Sequence, residues 1–286
     1  DGDAENRGSV PLAPENRERL EEYMAAFNQP QSTIALEQGD YANTGFTQWG
    51  ASGLAVVWAE ENTRDSIFKA FKRKETFATT GSRIAVRFFG GFNLSSIDLN
   101  SDNLVSESYE KGVTMGGDLI SDGDKTPEFI VWAQKDKNGA SLQRVQIIKG
   151  WMDTTSGRPS EKVYDIACSD DLDVDPVTHR CPDNGARVNI TDCSISQNVG
   201  SSELKTLWRD PEFKSSDKSF YYVRVLENPT CRWSTWDAIK RGFKPREDLH
   251  DTIQERAWSS PIWYIPDPSD VVVVPLGGTV PIRNSN

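Results

Sequence analysis

The feature that most constrains this chain is a set of six short β-type runs, at residues 84–89 (IAVRFF), 128–133 (EFIVWA), 143–148 (QRVQII), 161–166 (EKVYDI), 187–191 (RVNIT) and 219–226 (SFYYVRVL). Clusters of Gly, Asn, Asp and Pro separate them, which is the pattern of strands joined by tight turns. Runs this short cannot bury their backbone polar groups alone, so they must pair with one another, and their number and spacing predict an antiparallel β-sandwich. One helix interrupts the series. Ser234 can cap it, Asp237 stands three residues on, and Gly242 can end it.

A different pattern precedes the sandwich. Residues 53–59 (GLAVVWA) are apolar without alternation, as expected of a strand buried on both faces. An amphipathic helix follows, with Asn62 or Thr63 as cap and Asp65 in the first turn. Ile67, Phe68 and Phe71 form its expected buried stripe, and Lys72, Arg73 and Lys74 suit its C-terminus. This strand and helix read as an α/β fragment. The expected fold class is therefore mainly β with α+β elements. Its expected parts are a polar arm at 1–50 with a short helix at 15–27, the strand and helix at 51–83, the sandwich at 84–266 with a cysteine-rich insertion, and a tail at 267–286 that adds an edge strand or packs on the surface.

Acidic residues outnumber basic ones by 43 to 32, giving a formal charge of −11, and this argues against a nucleic-acid partner. No stretch approaches the roughly 20 apolar residues of a membrane span. The chain starts at Asp1 with neither a methionine nor a leader, so an export signal, if one is made, is expected to have been removed or to lie outside this sequence. Cys168, Cys181, Cys193 and Cys231 contain no Cys-x-x-Cys pair, which disfavours structural zinc relative to two disulfides. Four cysteines allow three pairings. Cys168 with Cys181 and Cys193 with Cys231 is the expected one, because the first closes a polar loop of the size for which ~3 kcal/mol is typical. Disulfides point to a periplasmic or extracellular location.

Few residues suggest chemistry. Glu60 and Glu61 follow a strand end, where α/β sheets bind ligands, although acids there also simply favour a helix N-terminus. Arg64, one turn in, could hold a phosphate or carboxylate bidentately or pair with those acids. Arg83 follows a glycine turn on a loop rim. Asp170, Asp171, Asp173 and Asp175 invite a calcium reading, but an EF-hand counted from Asp171 has Pro176 at its glycine position and Pro182 at its twelfth, so a solvated acidic loop is expected. His179 and His250 are isolated and form neither a triad nor a metal cluster. Trp132, Trp151, Trp208, Trp233, Trp236, Trp258 and Trp263 fall in the sandwich; most are expected in the core, Trp132 and Trp263 among them, while an exposed subset would suit a glycan-binding surface.

Several long motifs carry a resemblance. The segment GLAVVWAEENTRDSIFKAFKRKETFATTGSRIAVRFFGG, the turn GVTMGGDL, LQRVQIIKGW, EKVYDIACSD with RCPDNGA, YYVRVLENPTCRWS and QERAWSSPIWY together resemble a bacterial family of unknown function grouped with the PHP-like (polymerase and histidinol phosphatase) metal-dependent hydrolases. The resemblance spans about residues 50–264. It implies a metal-binding α/β domain followed by a β-sandwich, with residues 53–74 as the closing strand and helix of that domain. It also implies divalent metal ions held by His and Asp motifs that begin with a His-x-His pair, which this sequence lacks. The expected partner is thus an N-terminal metal-binding part of the same protein, the expected substrate a phosphoester, and the expected contributions here Glu61 as support and Arg64 as anion contact. No cofactor is expected to be held by this chain alone.

Overall fold

A computed structural model of the chain describes residues 53–153 and 157–267, together with the strand backbone at 33–36 and 39–42. The helix expected at 15–27 and the tail beyond 267 lie outside the described residues. In chain order the elements are β1 (Thr33–Leu36), β2 (Gly39–Ala42), β3 (Leu54–Val57), α1 (Arg64–Lys72), β4 (Thr76–Thr79), β5 (Ala85–Gly91), α2 (Leu104–Lys111), β6 (Gly112–Thr114), β7 (Asp118–Ile120), β8 (Glu128–Gln134) and β9 (Leu142–Met152). There follow β10 (Pro159–Cys168), β11 (Val188–Asn189), β12 (Ser194–Ile195), β13 (Glu203–Arg209), β14 (Ser219–Glu227), β15 (Thr230–Cys231), α3 (Trp233–Lys240), β16 (Thr252–Ile253), β17 (Arg256–Ser259) and β18 (Ile262–Ile265).

Two sheets enclose one core. The larger runs β10-β9-β14-β17-β4-β3, with β18 also bonded to β14 and β7 bonded parallel to β18; the smaller runs β13-β8-β5-β6. All other pairings within them are antiparallel. Val145, Ile147, Tyr221, Val223 and Val225 of the larger sheet meet Val86, Phe88, Phe129 and Val131 of the smaller. Strand β14 shows why: positions 219, 221, 223, 225 and 227 are buried while their neighbours are half-exposed, the period-2 signature of a pleated strand with one inward face. All six expected runs are strands, though 187–191 shortens to the two residues of β11.

The first strand and helix depart from expectation. β3 is not buried on both faces: it bonds β4 alone, at the edge of the larger sheet, and Leu54 and Ala55 are exposed. Because β4 returns antiparallel, β3-α1-β4 is a hairpin whose connection carries a helix rather than a parallel β-α-β unit. The expected stripe on α1 is also turned outward, with Phe68 60% and Phe71 51% exposed, while Ser66 and Ala70 are the buried residues. Small side chains at i and i+4 let the helix sit close, and its large apolar residues are left on the other side. The chain reverses at Lys74, whose φ is 59°, and Gly116 (φ 85°) lies so close that a Cβ there would come 2.3 Å from the Lys74 carbonyl oxygen. The GVTMGGDL turn therefore needs its glycine.

Both disulfides pair as expected, Cys168 with Cys181 and Cys193 with Cys231. Beside the first, the buried carboxylate of Asp165 accepts from Arg144 (2.9 Å), Gln146 (2.5 Å) and the backbone N–H of Cys181 (2.7 Å). In the acidic loop Asp170 and Asp175 accept backbone N–H bonds from Gly200 and from Val177 and Thr178, so these two carboxylates anchor turns. On α3 the residue in the cap position is Arg232 rather than Ser234; Ser234 is buried and accepts from Arg232 Nη1, while Gly242 (φ 73°) follows the helix end.

Candidate functional site

Thr63 caps α1, its Oγ1 accepting from the Ser66 N–H. Ser66 Oγ in turn donates to Glu60 Oε2 (2.9 Å) and accepts from the Glu61 N–H (3.2 Å), and Glu60 Oε1 pairs with Arg73 at 3.1 Å. Its backbone N–H and the Ser66 hydroxyl hold Glu60 below the usual carboxylate range. Glu60 is thus a helix-terminus acid. Glu61 and Arg64 stand exposed at the same head. Neither is part of the cavities lined by Trp151, His250, Glu227 or Trp58. Beneath the helix, buried Glu75 accepts from Tyr109 Oη and from Thr114 Oγ1 and pairs with Arg73. Burial, then Glu75, pushes the Tyr109 phenol up to about 12. Arg87 stacks 3.7 Å over Trp58, whose indole N–H donates to the Val86 carbonyl, so α1 and β3 are tied to the smaller sheet through polar contacts.

A second constellation was not foreseen. Glu227 occupies the last inward position of β14, where the series Tyr221, Val223, Val225 would continue with an apolar residue. It is 1% exposed, and among the described residues its Oε1 makes no hydrogen bond of good geometry; the buried Oγ of Ser82 is the nearby hydroxyl that acts on it. Both line a cavity of about 560 Å³ with Asp136, Gly139, Glu255 and Trp236. The β14–β17 pairing brings Glu255 alongside, since the Glu227 N–H donates to its carbonyl and Thr80 Oγ1 donates to its carboxylate. Asp136 accepts from the N–H groups of Arg83 (2.7 Å) and Asn138 (2.9 Å), which hold it below the usual carboxylate range. Arg83 is not part of the lining and contributes only its backbone N–H. Disulfide-bonded Cys193, next to β12, forms part of the wall.

Burial first, and then the charges of Glu255 and Asp136, push the Glu227 carboxyl up to about 7 against the opposing pull of Ser82 and Lys135. A carboxyl raised in the folded state binds its proton more tightly there than when unfolded, so it costs nothing below its unfolded pKa of 4.5 and destabilises progressively as pH rises toward 7. Glu227→Gln removes the ionisation. The variant is expected to be more stable than the parent by about 3 kcal/mol at pH 8 and equal to it at pH 4, as read by urea unfolding at both pH values.

A family model described as a protein of unknown function (DUF3604) matches residues 15–266. The chain belongs to this family. No curated protein and no solved structure matches it significantly. Among the described residues of this DUF3604 chain, no three His, Cys, Asp or Glu side chains gather to hold a metal ion, so they do not fit the metal site that the hydrolase resemblance implies. Its single Asp-x-His, Asp248-Leu249-His250, does not alter this: Asp248 pairs with Arg246 at 2.5 Å, and His250 lines a separate polar pocket with Asp183 and Arg187.

The DUF3604 chain also carries an aromatic groove. Gly150, Trp151, Phe220 and Trp263 line about 410 Å³ beside Glu161 and Lys218. Trp263 is 37% exposed rather than buried, because β18 turns alternate side chains outward. Phe220 packs against Gly150, where a Cβ would meet the ring at 2.3 Å, and its centroid is 5.1 Å from that of Trp263. Trp208, by contrast, joins Phe129, Tyr164 and Tyr221 around the core, and half-buried Trp132 donates its indole N–H to Glu203.

Proposed function

We propose that this DUF3604 chain is the C-terminal portion of an exported PHP-like metal-dependent hydrolase of phosphoesterase type. The observation that carries the reading is the apolar surface beside the Glu61–Arg64 head: Phe68, Phe71 and Leu54 are exposed on adjoining elements, which suits an interface with another folded part of the same protein. In this reading that part holds the divalent metal ions, Arg64 contacts the anionic substrate and Glu61 supports it. The two disulfides support a periplasmic or extracellular setting. The test is hydrolysis of p-nitrophenyl phosphate with added manganese. The chain joined to its preceding segment should turn over, and the chain alone should not. Arg64→Ala in the joined protein is expected to raise KM about tenfold with little change in kcat, since it removes a charge-assisted contact to the substrate. An unchanged KM in soluble protein would retire that role.

The aromatic groove favours a second reading, a non-catalytic glycan-binding module, because paired indole and phenyl faces flanked by polar groups suit sugar rings. Saturable quenching of tryptophan fluorescence by an oligosaccharide, weakened at least tenfold by Trp263→Ala, is the expected result. Equal quenching in the variant would remove the groove from consideration.

A further inference from the structure

We propose that the cavity around Glu227 binds a small ligand through a primary ammonium group. The proposal is independent of the hydrolase reading. Its basis is an unmet acceptor at a buried position: Glu227 is 1% exposed, lines the cavity, and its Oε1 has no partner among the described groups. A buried carboxylate without donors is costly, and native structures retain such a group where something else completes it. Ser82 Oγ lines the same cavity beside the carboxylate; its hydroxyl helps to hold Glu227 ionised, and its lone pairs can still accept from a ligand. Asp136 and Glu255 complete a wall whose charge is negative. Among the described residues the nearby ammonium of Lys135 makes no hydrogen bond or ion pair with Glu227; its Nζ donates instead to the carbonyls of Asp136 (3.1 Å) and Gly139 (3.0 Å).

The chemistry narrows the ligand. The carboxylates do not converge as a metal site requires, whereas a tetrahedral ammonium can share three donors among acceptors set in different directions. The cavity of about 560 Å³ is far larger than an ammonium group, and Ile195 and Trp236 give the rest of a ligand apolar surface. Gly139 leaves room for the acid: a Cβ there would lie 2.9 Å from Glu227 Oε1. The charged groups facing Glu227 are Asp136 and Lys135 from the turn after β8 and Glu255 from the start of β17. A bound cation would favour ionised Glu227, so binding should strengthen as pH rises through about 7.

The experiment is calorimetric titration with benzylamine and with benzyl alcohol, its uncharged counterpart; benzylamine stays an ammonium at both pH values used. The expected result is saturable binding of the amine only, weaker by a factor of ten or more at pH 5.5 than at pH 8. Glu227→Gln should abolish that pH dependence and weaken binding at pH 8 at least tenfold. Ser82→Ala, which removes one small cavity-lining hydroxyl, should fold normally and weaken binding severalfold, so the test survives a failure of the first variant to fold. No amine binding, equal binding of the alcohol, unchanged affinity in both variants, or a site that takes calcium and not benzylamine would each overturn the proposal.

Discussion

Lys149→Met is expected to cost about 3–5 kcal/mol of stability, the range for breaking a buried charge pair on one side. Lys149 and Asp210 are both buried, with Nζ 2.5 Å from Oδ2. The pair is embedded in further bonds: Lys149 donates to the Glu212 carbonyl at 3.0 Å, and Tyr221 Oη donates to Asp210 at 2.7 Å. Burial and then the Asp210 charge push the Tyr221 phenol far above its ordinary value, so it stays a donor at any working pH. Without the lysine, a desolvated carboxylate keeps only neutral donors. Asp210→Asn alone should be costly for the mirror reason, an ammonium left in the interior. The double variant should recover at least half of the summed loss, because each single change includes the penalty of orphaning its partner. Urea unfolding of the four proteins measures this; a single-variant loss below about 1 kcal/mol would mean that water reaches the pair.

Removing the Cys193–Cys231 bridge by a double alanine substitution is expected to cost about 4 kcal/mol, and removing Cys168–Cys181 about 3 kcal/mol. Loop-closure entropy sets this order, since the bridges span 38 and 13 residues. The longer bridge joins the β11–β12 hairpin to β15, just ahead of α3, and so links two segments whose residues line the Glu227 cavity. Its loss should therefore weaken ligand binding there as well as stability, whereas loss of the shorter bridge should affect stability alone. Thermal unfolding of the two variants checks the ranking. A larger loss from the 13-residue bridge would show that strain or residual unfolded structure outweighs chain entropy.

The sandwich was legible because period-2 burial writes itself into strands such as β14, where inward and outward residues differ in polarity. Strand β13 was harder to see. Its polar side chains are engaged on the surface, Lys205 lying over Trp132 and Glu203 accepting that indole's N–H, so ELKTLWR reads as a charged connector. The α1 face was misread because amphipathicity says which residues are apolar, not which side of the helix has a neighbour; the sheet took Ser66 and Ala70. The Glu227 cavity was invisible because Ser82, Asp136, Glu227 and Glu255 are scattered along the chain, and only strand pairing assembles them. One clue was present: a glutamate ends the inward series of β14, in place of the branched side chain its register calls for.

Phe220 and Glu227 lie on the same strand, seven positions apart, an odd number. Odd spacing sends the two side chains to opposite sides of the sheet, and at the rise of an extended chain it sets them about 23 Å apart. The strand is a ruler: whatever settles on the aromatic floor and whatever enters the acidic recess are held back to back at a separation dictated by covalent geometry. A one-residue slip of β14 against β9 and β17 would exchange the two sides, bringing the phenyl ring inside and the carboxylate out, so both surfaces stand or fall with a single alignment.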